Sequence, residues 1–369
     1  MAEGLFYFIH PKTPEKNDSL GRRSFYEPAM SYRLEAFRMS KHPSTKIAVV
    51  GLGAWGSALA LHCARLGCPV IGWNRDSSLV QDITTSRQLT VAGHKVHVPE
   101  SFKATSNLAD VADANLTIIA LPARAWGEVL PHLKAKAIVS ATKGLEKDTS
   151  LTPLSFAQQK HGYSDEALAV ISGPSFASDL IAGRPISVVA GSKSNALASL
   201  VAATLSSPSL RVYTSHDPLG VELGGILKNI IAIVAGVSDS LGYGPSARAA
   251  VISRGLYEMS ALAVALGAEE KTLTGLSGLG DLIMTATEDQ SRNRTVGLRL
   301  GKGEQLADVI ASLGATAEGV SSAPLVLALA QQHGIAAPLT EQVVRLMNGE
   351  IRATEMAHAL MTRPLKSEF

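Results

Sequence analysis

From Lys46 onward the chain sets short apolar runs between longer amphipathic stretches. Ile47–Val50 (IAVV) is wholly apolar and ends in glycine, the pattern of a strand buried on both faces. A helix is predicted over Ala54–Leu66, where Gly67 stops it, and a second strand over Val70–Trp73. Leu116–Ala120, Ala137–Ala141, Ala169–Ser172, Ile186–Ala190 and Arg211–Tyr213 read as further strands, with helical stretches between several of them. This alternation predicts an α/β domain on a parallel sheet over residues 45–217. After Asp217 the strand pattern stops. Gly220–Ser240, Ser246–Leu266, Leu279–Thr287, Arg294–Leu300, Gln305–Leu313, Ser322–His333, Pro338–Asn348 and Ile351–Met361 all read as helices. An all-α second domain is therefore expected over 218–369.

Composition sharpens this picture at the N-terminus. The chain has 369 residues, 46% of them hydrophobic and 18% charged, enough apolar material for a sizeable core and for about two domains. Residues 1–44 show no sustained period and hold seven of the aromatics: Phe6, Tyr7, Phe8, Phe25, Tyr26, Tyr32 and Phe37. They are expected to form a poorly ordered extension. Met39 opens MSKHPSTKIAVVGLG, the natural start if the preceding residues are an upstream extension or a misassigned beginning. The net charge of +2 lies entirely in this head, so the body is neutral and carries no electrostatic footprint for nucleic acid.

No apolar run approaches the ~20 residues of a membrane span. The best, Ile226–Val237, contains Lys228 and Asn229. The N-terminus lacks the pattern of a secretory signal, and its acidic residues argue against a transit peptide. Cys63 and Cys68, in a predicted helix, read as structural thiols in a reducing compartment, so a cytoplasmic location is expected. His94 and His97 form an H-x-x-H pair without a supporting Cys or carboxylate cluster, so no metal is expected.

The chemistry begins at Gly51-Leu52-Gly53-Ala54-Trp55-Gly56, a G-x-G-x-x-G between a predicted strand and helix. Gly51 permits the tight turn, Gly53 lets backbone approach a pyrophosphate, and Gly56 lets helix pack on strand. The helix N-terminus offers free N–H groups to the anion. The next strand ends in Asn74-Arg75-Asp76, without the acidic residue at the strand end that an NAD-only site usually places on the ribose. Arg75 suits a 2′-phosphate, which favours NADP(H), while Asp76 keeps NAD(H) open.

Further polar residues stand in apolar or edge positions. Lys228 sits in Gly-Ile-Leu-Lys-Asn-Ile-Ile-Ala. Burial there would lower its pKa and make it a usable acid or base, while a surface helix would let it snorkel; the helix alone leaves both open. Lys143 ends a strand at the carboxyl edge of the sheet, where its charge could stabilise an alkoxide. Asp281 could hold a lysine or cap a helix. Ser291-Arg292-Asn293 brings a hydroxyl, a forked cation and an amide together, a set suited to a phosphate.

Five segments occur in order: the glycine turn, Ala141-Thr142-Lys143-Gly144-Leu145-Glu146, Ser172-Gly173-Pro174-Ser175-Phe176-Ala177, Gly224-Gly225-Ile226-Leu227-Lys228-Asn229, and Gly278-Leu279-Gly280-Asp281 with Ser291-Arg292-Asn293. Together they resemble the NAD(P)-dependent glycerol-3-phosphate dehydrogenases of the bacterial, biosynthetic type, over about residues 45–360. The resemblance implies a Rossmann domain followed by an α-helical domain, with the active site between them. It implies reversible reduction of dihydroxyacetone phosphate to sn-glycerol 3-phosphate, the phospholipid backbone, by a homodimer. It implies Lys228 as proton donor and Lys143 at substrate or nicotinamide. Gly173, Ser175, Asn229 and Thr285 become substrate candidates, and Ala54, Trp55, Ala177, Arg292 and Glu318 cofactor neighbours. Departures are Ala54-Trp55, Ser175 and Ala315-Thr316-Ala317, where the family more often has a small hydroxyl residue with Tyr, Thr and a valine pair.

Two other classes remain. A 2-hydroxyacid or ketopantoate reductase would share the fold, but the phosphate triplet and the lysine pair favour the first reading. A non-catalytic nucleotide sensor would be expected to have lost a lysine or the phosphate residues, and all are present.

Overall fold

The computed structural model describes residues 45–313, 317–365 and 367. The expected disordered head lies outside these, as do Ala315 and Thr316. The described residues fall in one compact unit.

The first half builds β1 (Ile47–Val50), α1 (Ala54–Arg65), β2 (Val70–Trp73), α2 (Ser77–Ser86), β3 (Gln88–Val91), β4 (His94–His97), β5 (Phe102–Thr105), β6 (Leu116–Ile119) and a short α3 (Trp126–Val129). It continues through β7 (Ile138–Ser140), α4 (Pro153–His161), β8 (Leu168–Ser172), α5 (Ala177–Ile181), β9 (Ile186–Gly191), α6 (Asn195–Leu205) and β10 (Leu210–Ser215). Eight strands form one sheet in the order β10-β9-β8-β7-β6-β1-β2-β5, and β3 with β4 makes a separate hairpin. The order steps outward in both directions from the β1/β6 boundary. In open α/β sheets ligands bind at such a switch point, beyond the strands' carboxyl ends, where β1 here runs into the glycine turn.

Both faces of the sheet are covered, which explains the continuous apolar strands. Ile47 and Val49 pack into one core with Leu59, Ile118 and Val139. Ala48 and Val50 face the other, with Ile119, Trp126 and Ile138.

The expected all-parallel sheet needs one correction. β8 and β9 are antiparallel, Ile171 lying opposite Ala190, while the other pairs in this sheet are parallel. Runs such as AVIS and ISVVA bury both faces in either direction, so periodicity cannot report strand sense. A second correction concerns Cys68, which lies beyond the end of α1, although Cys63 is within it; both are buried free thiols. His94 and His97 are exposed on β4, and no cluster of metal-ligating residues occurs among the described residues.

The helical half begins with α7 (Pro218–Ser240), followed by α8 (Gly244–Ala265), α9 (Glu270–Leu273), α10 (Asp281–Thr287), α11 (Arg292–Gly301), α12 (Leu306–Leu313), α13 (Glu318–Gln332), α14 (Pro338–Met347) and α15 (Ala353–Met361). A π-helical turn, Leu276–Gly280, leads into α10. α7 is long and apolar enough to cross a membrane, but its apolar window is wholly buried in the protein. Around it pack Met259, Leu282, Val296, Val326 and Val343 from five surrounding helices. Its N-terminus is fixed by Asp217, which accepts from Gly220 N at 2.9 Å and from Glu269 N at 2.9 Å.

Candidate active site

Three elements bring the lysine and carboxylate candidates together. Lys143 follows β7, Lys228 sits midway along α7, and Asp281 opens α10 after the π-helical turn. Asp281 is fully buried. Its Oδ2 accepts from Lys143 Nζ at 2.6 Å and its Oδ1 from Lys228 Nζ at 2.9 Å. Lys228 also donates to Thr285 Oγ1 at 2.6 Å, and Lys143 reaches the Gly173 carbonyl at 3.4 Å. Of the two roles open to Asp281, holding a lysine is the one realised, since α10 has no side-chain cap.

The electrostatics follow from this arrangement. Burial alone would raise the Asp281 carboxyl, but the Lys143 and Lys228 ammoniums overcome that and hold it below the usual carboxylate range. Burial drives the Lys228 ammonium down to about 8; Asp281 opposes the shift, while Lys143 and Arg292 add to it. The snorkelling alternative is excluded by a Lys228 side-chain exposure of only 6%.

Ser291, Arg292 and Asn293 do not present a uniform set. Ser291 is buried and caps α11 by accepting from Arg294 N at 3.2 Å. Asn293 is also buried; its Nδ2 donates to Asn229 Oδ1 at 3.0 Å and its Oδ1 accepts from Gly319 N at 3.0 Å. Asn229 in turn donates to Gly225 O at 3.3 Å. Arg292 alone of the three is exposed, at the first turn of α11. Of the three, Arg292 projects from a base in which Ser291 and Asn293 are hydrogen-bonded. Ser175 is half-buried and bonds to Gly173 O at 3.1 Å.

Most of the nucleotide candidates follow the carboxyl ends of β1, β2 and β8. A Cβ on Gly56 would stand 1.9 Å from Gly51 O, and one on Gly51, at φ +104°, 2.8 Å from Ala120 O. Gly53 differs: nothing of the protein lies within 4 Å of its Cβ position. The fold thus requires Gly51 and Gly56, while Gly53 borders open space. Gly53 and Ala54 are exposed at an α1 N-terminus with no side-chain cap and no acid in its first turn. Free N–H donors, an open glycine and no competing anion fit a dinucleotide pyrophosphate. Trp55 and Ala177 are half-buried and pack on the sheet core. At the end of β2, Asp76 accepts from Ser78 N and Leu79 N as the cap of α2, so its carboxylate is committed, while Arg75 is exposed.

Glu318, at the start of α13, reaches the sheet half: its Oε2 would lie 2.6 Å from a Cβ on Gly144. Burial pushes its carboxyl up to about 7 against the pull of Arg292 and Arg124. Arg124, Gly144 and Glu222 were not singled out in the sequence. Only the A-T-K-G-L-E segment hinted at Gly144, and nothing local marks the other two.

Comparison with known proteins decides the family. Residues 46–198 match the model for the NAD-dependent glycerol-3-phosphate dehydrogenase N-terminus, and 217–358 that for its C-terminus. A glycerol-3-phosphate dehydrogenase [NAD(P)+] of Solidesulfovibrio magneticus is 41% identical over 331 residues, 88% of this chain and 100% of that protein. The chain belongs to the NAD(P)-dependent glycerol-3-phosphate dehydrogenase family. It is an oxidoreductase with that activity. The crystal structure of glycerol-3-phosphate dehydrogenase from Coxiella burnetii is 37% identical, with a TM-score of 0.81, covering 86% of this chain and 99% of that one. It supports the Rossmann-like sheet followed by a helical domain. A ketopantoate reductase from Ralstonia eutropha covers 85% of this chain and 100% of its own at 17% identity and a TM-score of 0.51, a likeness of fold alone.

The contrast between the glycines gives a test. Gly53→Ala is expected to leave the melting temperature within about 2 °C while weakening dinucleotide binding at least tenfold, because its Cβ meets ligand rather than protein. Gly56→Ala should instead destabilise the fold by about 1–3 kcal/mol or more through overpacking. Thermal melts and fluorescence titration with NADPH separate the two, and equal losses of stability would contradict the distinction.

Proposed function

We propose that the Lys143–Asp281–Lys228 cluster performs the reversible reduction of dihydroxyacetone phosphate to sn-glycerol 3-phosphate, supplying phospholipid synthesis in the cytoplasm. The observation that carries this reading is one buried carboxylate bridging ammoniums from the two halves of the fold. When bound, the nicotinamide dinucleotide supplies the hydride. The protein must then provide a proton and stabilise the alkoxide. Lys228, with its pKa near 8, is protonated at neutral pH yet acidic enough to protonate the carbonyl oxygen, and in reverse accepts the proton. Asp281 and Thr285 fix its direction. Lys143 places a second positive charge at the developing oxyanion.

Arg292, at the positive end of α11, binds the substrate phosphate, supported by Ser291, Asn293 and Asn229 from behind. Gly173 and Ser175 border the same site. Gly51, Gly53, Ala54, Trp55, Gly56 and Ala177 line the nucleotide side, with Lys143, Arg292 and Glu318 at its inner end. Capping of α2 occupies Asp76 and leaves Arg75 to meet a 2′-phosphate, which favours NADP(H) over NAD(H).

We also infer that two copies pair through the helical half. A groove of about 910 Å³ there is lined by Tyr243, Tyr257, Met356 and Leu360. On the same rim Met361 and Leu365 are 85% and 102% exposed. An apolar knob beside an apolar hole on one face suits two-fold, self-complementary pairing.

Four outcomes are expected. In steady-state assays with dihydroxyacetone phosphate, the reductive rate should fall as pH rises through about 8, where Lys228 loses its proton, while oxidation rises over the same range. Lys228→Ala should lower kcat by about 10²–10⁴ with NADPH affinity kept; retained turnover would remove it as proton donor. Arg75→Ala should raise the KM for NADPH about tenfold and leave that for NADH unchanged; equal changes would remove the 2′-phosphate role. Sedimentation velocity should show a dimer that Tyr243→Glu converts to monomer, and a monomeric native protein would reject the pairing.

A further inference from the structure

Glu222 is a buried carboxylate with no part in the chemistry above. It lies on α7, six residues before Lys228, and is 2% exposed. Among the described residues it forms no salt bridge. Its Oε1 accepts from Leu154 N at 3.0 Å, and it also hydrogen-bonds the Thr152 side chain. Thr152 is the N-cap of α4, so Glu222 supplies from another helix an acceptor for one of α4's unpaired N–H groups. Burial raises its carboxyl to about 7, with the two hydrogen bonds acting against the shift.

The segment it grips carries Lys143. Residues 141–152 connect β7 to α4 without a helix or strand of their own. Midway, Glu146 Oε2 accepts from Asp148 N at 3.1 Å and from Thr149 N at 2.9 Å, making a closed turn. One end of the segment is therefore fixed by β7, its middle by its own carboxylate, and its far end by Glu222 of α7. Near the first end α7 makes a second close approach: a Cβ on Gly225 would lie 3.4 Å from Lys143 Cγ and 2.5 Å from Ser172 Oγ. Glu222 and Gly225, one turn apart, thus hold both sides of the segment to the helix that bears Lys228.

We propose that Glu222 is a positioning residue: by fastening residues 141–152 to α7 it keeps Lys143 in reach of Asp281 beside Lys228. This rests on the role assigned to Lys143 above. Glu222→Ala is expected to lower kcat about 10–100-fold, as a displacement of about 1 Å at a reacting group does, with the KM for NADPH unchanged. Glu222→Gln keeps an acceptor for Leu154 N and should restore the rate to within about threefold of the unaltered enzyme. The deciding measurement is a double-mutant cycle with Lys143→Ala. If Glu222 acts through Lys143, adding Glu222→Ala to Lys143→Ala changes kcat by less than about twofold.

Losses that multiply in the double variant would overturn the proposal, as would an unaltered kcat in Glu222→Ala. Should Glu222→Ala fail to fold, Thr152→Val removes the hydroxyl partner, together with the cap it gives α4. It is expected to give a smaller kcat loss that also disappears in the Lys143→Ala background, and multiplication there overturns the proposal equally. Full activity of Lys143→Ala by itself would sink the role of Lys143 and this inference with it. A damaged Lys143→Ala with multiplying losses sinks the Glu222 inference alone.

Discussion

The structure turns on a single carboxylate. Asp281 is fully buried, a position in which an isolated anion would cost several kcal/mol, and it is tolerated because two ammoniums meet it. One comes from the sheet half and one from the helical half. A contact that joins the two halves is therefore also one that shifts the protonation of the site. Removing one partner from such a cluster typically costs about 3–5 kcal/mol, because the charge left behind remains buried. Substitutions there should be judged by both folding and rate. The largely buried α7 is the scaffold this requires, an apolar helix from which a lysine side chain points to Asp281.

Around this centre, polar residues divide into those that face ligand space and those that hold them. Arg292, Arg75 and the first turn of α1 project outward. Ser291, Asn293, Asn229, Asp76 and Glu222 spend their hydrogen bonds within the protein, most of them on backbone or on one another. The second group fixes the first, and geometric precision in the outer residues depends on the inner ones having no freedom. The Asn293–Gly319 bond is one case. It ties the start of α13, and with it Glu318, to the base on which Arg292 stands.

Much of this was legible in the sequence, for reasons that can be stated residue by residue. The glycine turn was readable because its spacing follows from the turn itself: a Cβ on Gly56 would collide with Gly51 O five residues back, although the backbone that confines Gly51, at Ala120, is distant in the chain. Lys228 stood out because a charge interrupts an apolar helix. Three things were hidden. The antiparallel β8/β9 pair was hidden because a doubly buried strand has no polarity in its pattern. The division of labour within Ser291-Arg292-Asn293 depends on helix phase and on α13 arriving beside it. Glu222 looked like one more acid, since its partner Leu154 lies 68 residues away. Long-range pairing is the information that periodicity and spacing do not carry.

Charge is the last point at which local and global readings separate. The net +2 resides in residues 1–44, so the body has no bulk field to draw an anionic substrate. Asp281 cancels one of its two lysines, and Arg292 adds a further positive charge close enough to depress the Lys228 ammonium. The site is thus locally cationic inside a neutral body. A phosphate dianion arriving at Arg292 would offset the charge that lowers Lys228 and so raise the lysine's pKa on binding. Burial likewise raises the Glu318 carboxyl to about 7, against the pull of Arg292 and Arg124. Arg292 thus bears on both Lys228 and Glu318. On the role proposed for Arg292, the group that anchors the substrate phosphate would also bear on the protonation of Lys228, remote from the reacting carbon.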